Sequence, residues 1–119
     1  KNISLFTSAA DSITKEGYVV NKVGTLQLAI CAKYMGIPYF VTGIPDLGKS
    51  IDDISIEKRD PHEATSFMGK SHVMKGVKGF YPAFDVTPPE LVSAVVTDRG
   101  VFAPYDLASY GNMGEVDYY

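Results

Sequence analysis

Residues 3–42 hold a strand-like run, a helical run and a second strand-like run, a succession open to few folds. "ISLFT" (3–7) is short, β-rich and ends in small residues, as a buried strand does. "TKEGY" (14–18) reads as a turn. From about Val20 to Tyr34 the residues Val23, Leu26, Ala29 and Ile30 fall at helical spacing, and Gly36 with Pro38 beyond it stops the helix. "PYFVTG" (38–43) is the second strand. A strand, a helix and a strand of this length predict a right-handed parallel crossover, and hence a sheet that is at least partly parallel.

The remainder continues the alternation. "GIPDLGKSIDDISIEKR" (43–59) reads as a long polar loop, and long loops in compact domains are often functional. "DPHEATSF" places Asp60 as N-cap, Pro61 at N1 and Glu63 at N3 of a short helix. "GVKGFYPAF" predicts a strand ending near Phe84. "TPPEL" offers Thr87, Pro88 and Glu90 as a capping box ahead of a helix over "LVSAVV". "GVFAP" adds a last short strand. The expected fold is an α/β domain with a mostly parallel sheet, followed by a tail over 105–119. Ligands of such sheets bind outside the carboxyl ends of the strands, where Asp11, Gly43 and Asp85 are expected.

Composition narrows the function classes. The 119 residues suffice for one domain, and the 45% hydrophobic and 21% charged fractions are those of a globular chain. No apolar run reaches the roughly 18 residues of a membrane span. A net charge of −3 without a Lys/Arg block disfavours nucleic acid and anionic membranes as partners. The single Cys31 allows no internal disulfide and no paired-Cys zinc site, so the expected compartment is the reducing cytoplasm. The first residues, "KNISLF", lack a signal-peptide pattern and pass at once into strand-like sequence. They are expected to belong to part of a larger protein.

Several residues admit two readings. Asp11 is either a solvated turn acid or a carboxyl at the strand edge. In the second case apolar neighbours such as Leu5 and Phe6 partly enclose it, and it can donate a proton near neutral pH. Asn21 and Lys22 are either the polar start of the helix, with Asn21 as N-cap, or an anion site built with the free N–H groups of the helix N-terminus. The spacing around Gly24 matches neither GxGxxG nor GxxxxGK[ST]. Cys31 is expected in the core, His62 and His72 at the surface, and Phe80, Tyr81 and Phe84 in the core or an interface. Asp85 either caps a loop or lines the pocket as a second acid.

Four stretches, "AADSI", "NKVGTLQLAICAKYMGIPYFV", "ISIEKRDPHE" and "YPAFDVTPPELVSAVVTDRGV", resemble successive motifs of the methylthioribose-1-phosphate isomerases between about Leu5 and Pro104. That family is related to ribose-1,5-bisphosphate isomerases and to regulatory subunits of translation initiation factor 2B, which share its C-terminal Rossmann-like domain, and the resemblance implies that residues 1–104 are the C-terminal part of such a three-layer domain with a mostly parallel sheet. The resemblance implies aldose–ketose isomerisation of 5-methylthioribose 1-phosphate, a methionine-salvage step. It assigns Asp11 as the catalytic acid and Asn21 and Lys22 as substrate contacts, with no metal or organic cofactor. It also implies a sugar phosphate as partner, a homodimer, and an N-terminal part of the same protein carrying the catalytic cysteine and a phosphate-binding arginine motif. Cys31 does not match that cysteine. Ala9, Ser12, Tyr18 and Tyr81 depart from the family pattern, where Gly, Arg, an acid and Asn are usual. The alternatives implied are a ribose-1,5-bisphosphate isomerase-like enzyme and a non-catalytic assembly subunit.

Overall fold

In the computed structural model, which describes residues 2–56 and 58–113, the expected crossover is present. Strand β1 (Phe6–Ala9) leads through a hairpin into helix α1 (Thr25–Tyr34) and then into strand β4 (Tyr39–Thr42), parallel to β1 with Phe6 opposite Tyr39. The hairpin is β2 (Ser12–Ile13) and β3 (Val19–Lys22). Gly36, with φ 69°, occupies the left-handed position just past the end of α1, as its place before Pro38 predicts. Strand β8 (Ala94–Thr97) pairs parallel with β4, and β9 (Gly100–Phe102) folds back antiparallel on β8. The main sheet is therefore four-stranded, in the order β1-β4-β8-β9, and mostly parallel.

Alternation along β4 sends Tyr39 and Val41 inward. They meet Ile13, Val19, Ala29, Val92, Val95 and Leu107 in one core. Phe6 stacks on Tyr39 at 4.4 Å between centroids, and burial pushes the Tyr39 phenol up from its ordinary pKa. On α1 the inward residues are Thr25, Ala29 and Ala32, one stripe at helical spacing. α1 is the one long helix among the described residues. The other α-helices among the described residues, α2 (His62–Thr65) and α3 (Ala108–Gly111), have four residues each. No described helix is long and apolar enough to cross a membrane.

Three expected elements differ. The predicted helix start at Val20 is a strand. β3 pairs antiparallel with β2 and with β7 (Phe84–Thr87), forming a second sheet, and the helix begins only at Thr25. β-branched Val19 and Val20 suit a pleated surface. Gly24 at φ 108° then turns the chain, so Gly24, not Asn21, is the N-cap. Second, the strand expected to end near Phe84 begins there. Third, "LVSAVV" is not helical. Pro88 is extended at φ −71° and ψ 155°, Pro89–Leu91 makes a single 3₁₀ turn, and the valines continue into β8. Consecutive prolines remove two N–H donors, and β-branched residues favour the strand. Thr87 forms no cap; its hydroxyl is buried without a hydrogen-bond partner among the described residues.

The short helix expected from Asp60 starts one residue later: α2 begins at His62 with Pro61 at the N-cap, the Asp60 carboxylate accepts from the His62 N–H at 3.0 Å, and the helix stops after one turn. A small hairpin, β5 (Ser66–Phe67) and β6 (Lys70–Ser71), follows. The long polar loop is tied down by Glu16. Its carboxylate accepts from the Ile51 N–H at 2.9 Å and the Ser50 hydroxyl at 3.0 Å. The Ile51 bond leads the causes that hold this carboxyl below the usual range. Of the expected tail, residues 114–119 lie outside the described residues. Leu107 and Tyr110 are buried, and the Tyr110 hydroxyl donates to Asp98 at 2.9 Å.

Candidate functional site

The carboxyl end of β1, the end of β3 and the start of α1 meet beside β7. Asp11 follows β1, and its N–H donates to the Val20 carbonyl at 2.9 Å. The acid therefore sits one residue before the β2–β3 pairing, beside the strand that carries Asn21 and Lys22. Its side chain is exposed and has no hydrogen-bond partner among the described residues. The expected apolar enclosure does not form within these residues. Leu5 and Phe6 instead line a cavity of about 740 Å³ together with Ile3, Leu28, Cys31 and Met35, and Phe6 also stacks on Tyr39.

Asn21 lies opposite Asp85 and Lys22 opposite Phe84 in the β3–β7 register. The Asn21 amide donates to the Thr25 hydroxyl at 3.0 Å, which in turn donates to the Lys22 carbonyl at 2.7 Å. This chain of bonds fixes the corner where β3 becomes α1. The anion site expected at the helix N-terminus is filled by the protein itself. Asp85 accepts from the Gly24 N–H at 2.7 Å and from the Leu26 N–H at 3.2 Å. A carboxylate there satisfies donors the helix leaves unpaired and complements its dipole. Of its two readings, Asp85 thus takes the capping one. Asp85→Ala strands those donors and is expected to cost about 1–2 kcal/mol, seen as a lower denaturation midpoint of the full-length protein; an unchanged midpoint would contradict the capping role.

Lys22 is exposed, and its ammonium stands 5.6 Å from the centroid of the Tyr81 ring. The Arg59 guanidinium lies 6.0 Å from the same centroid. Sequence reasoning singled out neither Arg59 nor this grouping, because the three residues come from segments with no shared local pattern. Phe80, expected in a core or interface, is 74% exposed, with Lys58 at 5.9 Å from its ring. Cys31 is exposed, contrary to expectation, because the buried stripe of α1 runs through Thr25, Ala29 and Ala32 and leaves position 31 outside it. His62 and His72 are exposed, and no metal-ligating cluster of three or more side chains forms among the described residues.

Residues 3–104 match the Initiation factor 2 subunit family. The methylthioribose-1-phosphate isomerase of Chloroflexus aurantiacus is 45% identical over 104 residues, 84% of this chain and 30% of the relative. That of Exiguobacterium sibiricum is 41% identical over 111 residues, 90% of this chain and 32% of the relative. The structure of 5-methylthioribose 1-phosphate isomerase from Pyrococcus horikoshii superposes with a TM-score of 0.78 at 35% identity, covering 91% of this chain and 32% of that one. Subunit delta of translation initiation factor eIF-2B from A. fulgidus gives 0.76 at 31% identity, covering 89% and 32%. The chain thus spans about a third of the length of the relatives it matches.

Proposed function

Because the chain belongs to the Initiation factor 2 subunit family, we propose that it supplies the general-acid half of an aldose–ketose isomerase site, converting 5-methylthioribose 1-phosphate to 5-methylthioribulose 1-phosphate. The observation that carries the reading is Asp11, an acid just past the end of a parallel strand, beside Asn21 and Lys22, whose carboxyl has no hydrogen-bond partner among the described residues. The folds of the isomerase and of the translation factor fit almost equally, at 0.78 and 0.76. Sequence favours the isomerase: of the two solved structures the isomerase is 35% identical and the translation-factor subunit 31%, and curated isomerases reach 41% and 45%.

The chemical obstacle is that a 1-phosphate locks the sugar as a cyclic acetal without a free aldehyde, so the ring must open before isomerisation. Asp11 delivers a proton to the ring oxygen as the bond from C1 to that oxygen breaks, the phosphate-ester oxygen stabilises the cation left at C1, and the C2 hydrogen then shifts to C1 with its electron pair while the C2 hydroxyl gives up its proton to form the ketone. Lys22 holds an anionic group of the substrate, and Asn21 keeps the strand end in register with α1 and turns its carbonyl oxygen to a substrate hydroxyl. The helix N-terminus takes no part in holding the anion, since Asp85 occupies it.

The rest of the protein completes the site in this reading. β1 is an edge strand, and beside it Ile3, Leu5, Leu28 and Met35 are 66%, 44%, 55% and 60% exposed. An open edge next to an apolar surface suits further chain of the same protein, which would also close over Asp11 and bring the catalytic cysteine. We assign the whole protein to the cytoplasm as a homodimer.

Comparing kcat/KM of the full-length protein for 5-methylthioribose 1-phosphate and for ribose 1,5-bisphosphate tests the substrate; a preference for the bisphosphate would replace the first sugar with the second. Lys22→Ala is expected to raise KM about 10- to 100-fold, the loss of one charge-assisted contact, with a much smaller change in kcat. A normal KM in that variant removes Lys22 from the substrate contacts.

A further inference from the structure

The segment that follows β4 leaves the sheet beside the acid. Thr42 pairs with Ala9 at the ends of β4 and β1, and a Cβ added to Gly43 would lie 3.7 Å from that of Ala10, the residue before Asp11. Ligands of a parallel sheet sit outside these strand ends, so residues 43–53 form one rim of the place where Asp11 acts. The first half of the rim is held by packing. Leu47 reaches the core, and a Cβ on Gly111 would meet its Cδ1 at 2.5 Å.

The second half, residues 48–53, is polar and is held by hydrogen bonds to the hairpin that starts directly after Asp11. The Asp46 N–H donates to the Ile13 carbonyl at 2.9 Å, and the Lys15 N–H donates to the Lys49 carbonyl at 2.9 Å. Glu16 supplies the side-chain tie. Its carboxylate takes the Ser50 hydroxyl and the Ile51 N–H together, at the start of a 3₁₀ turn over Ile51–Asp53. That turn is closed on itself, because the Ser50 N–H donates to the Asp53 carboxylate at 2.9 Å. The other end of the tie is rigid: Ile13 and Thr14 are buried, and Gly17 lies against the Pro104 backbone. A carboxylate with two donors is a stronger tie than a neutral pair, and the partly exposed Glu16 side chain can be replaced without opening a cavity.

We propose that Glu16 is a positioning residue of the site, its carboxylate clamping the segment after β4 to the hairpin after Asp11 and so holding that rim where the substrate meets it. This rests on the isomerase reading and adds to it a residue that touches no substrate. Without the clamp the rim must be ordered as the sugar binds, and apparent affinity falls with the fraction of molecules that hold it in place. Once the rim is ordered, proton transfer from Asp11 proceeds as before, so the loss is in KM and not in kcat.

The test follows hydrogen exchange of peptides within residues 44–53 of the full-length protein, alongside steady-state turnover of 5-methylthioribose 1-phosphate, with circular dichroism as the check on folding. In Glu16→Ala these peptides are expected to exchange about ten- to hundredfold faster, the loss of hydrogen bonds to a charged group. KM rises about three- to tenfold while kcat stays within about twofold. Glu16→Gln, whose amide oxygen still accepts, keeps exchange and KM within about threefold of the unsubstituted protein. Unchanged exchange in Glu16→Ala overturns the clamp. Faster exchange with KM in place marks a merely structural tie and overturns the positioning role, as does a loss confined to kcat. An unsubstituted protein that isomerises nothing contradicts the isomerase reading alone, and the exchange of Glu16→Ala then still decides the clamp.

Discussion

Asp11→Asn in the full-length protein is expected to lower kcat about 10²–10⁴-fold, the usual range for removing a positioned general acid, while the denaturation midpoint stays in place. The replacement keeps the shape of the side chain and removes only the transferable proton. Stability should be spared because the Asp11 side chain is exposed and bonded to nothing among the described residues; what fixes the position is its backbone N–H on Val20, which asparagine retains. Steady-state turnover together with a thermal melt separates the two effects. Turnover that survives the substitution would sink the acid assignment, and a collapse of the melt would recast Asp11 as structural.

Gly17→Ala is expected to have the largest effect on stability, about 2–5 kcal/mol, from about 1–2 for a left-handed backbone and about 1–3 for overpacking. Gly17 is buried at φ 93°, and an added Cβ would stand 2.3 Å from the Pro104 oxygen and 2.9 Å from its carbonyl carbon. Both obstacles are backbone and cannot rotate aside. The turn it closes joins β2 to β3, so its distortion would disturb the pairing that puts Asp11 beside Asn21 and Lys22. Gly76→Ala is the matched control, with φ 90° and nothing within 4 Å of the added carbon. Denaturant midpoints should fall much further for Gly17→Ala; equal losses would mean that contact with Pro104 contributes nothing.

The parallel crossover was legible because its signals are local. Gly36 and Pro38 mark the end of α1 within three residues, and the β-rich runs on either side need no distant partner to be read as strands. Val19–Lys22 was misread because Val20 and Val23 fit a helical stripe as well as a strand. Only pairing with β7, whose Val86 stands opposite Val20, decides the matter. The stretch after Thr87 was misread for a related reason: the residue types of a capping box are present, but two adjacent prolines and the pull of the parallel sheet through Val95 make a strand.

The same division holds at the site. Asp11, Asn21 and Lys22 stand close in sequence, and the resemblance to the isomerases reached all three. Asp85 acts on Gly24 and Leu26 across some sixty residues of chain, so its capping of α1 could not be read from local pattern. Arg59 was invisible for the same reason, since the ring it shares with Lys22 lies beyond the long loop. The enclosure expected around Asp11 was drawn from sequence neighbours, and Leu5 and Phe6 line a cavity beside α1 that does not include Asp11.

The central claim is that this acid belongs to a site that turns a cyclic 1-phosphate into an open ketose. The direct measurement is ¹³C NMR of the purified full-length protein incubated with 5-methylthioribose 1-phosphate labelled at C2. A ketone carbon that grows in at the expense of the sugar C2 signal, in the unsubstituted protein and not in Asp11→Asn, is the predicted result. A folded protein that leaves the labelled sugar unchanged at every enzyme concentration would contradict it.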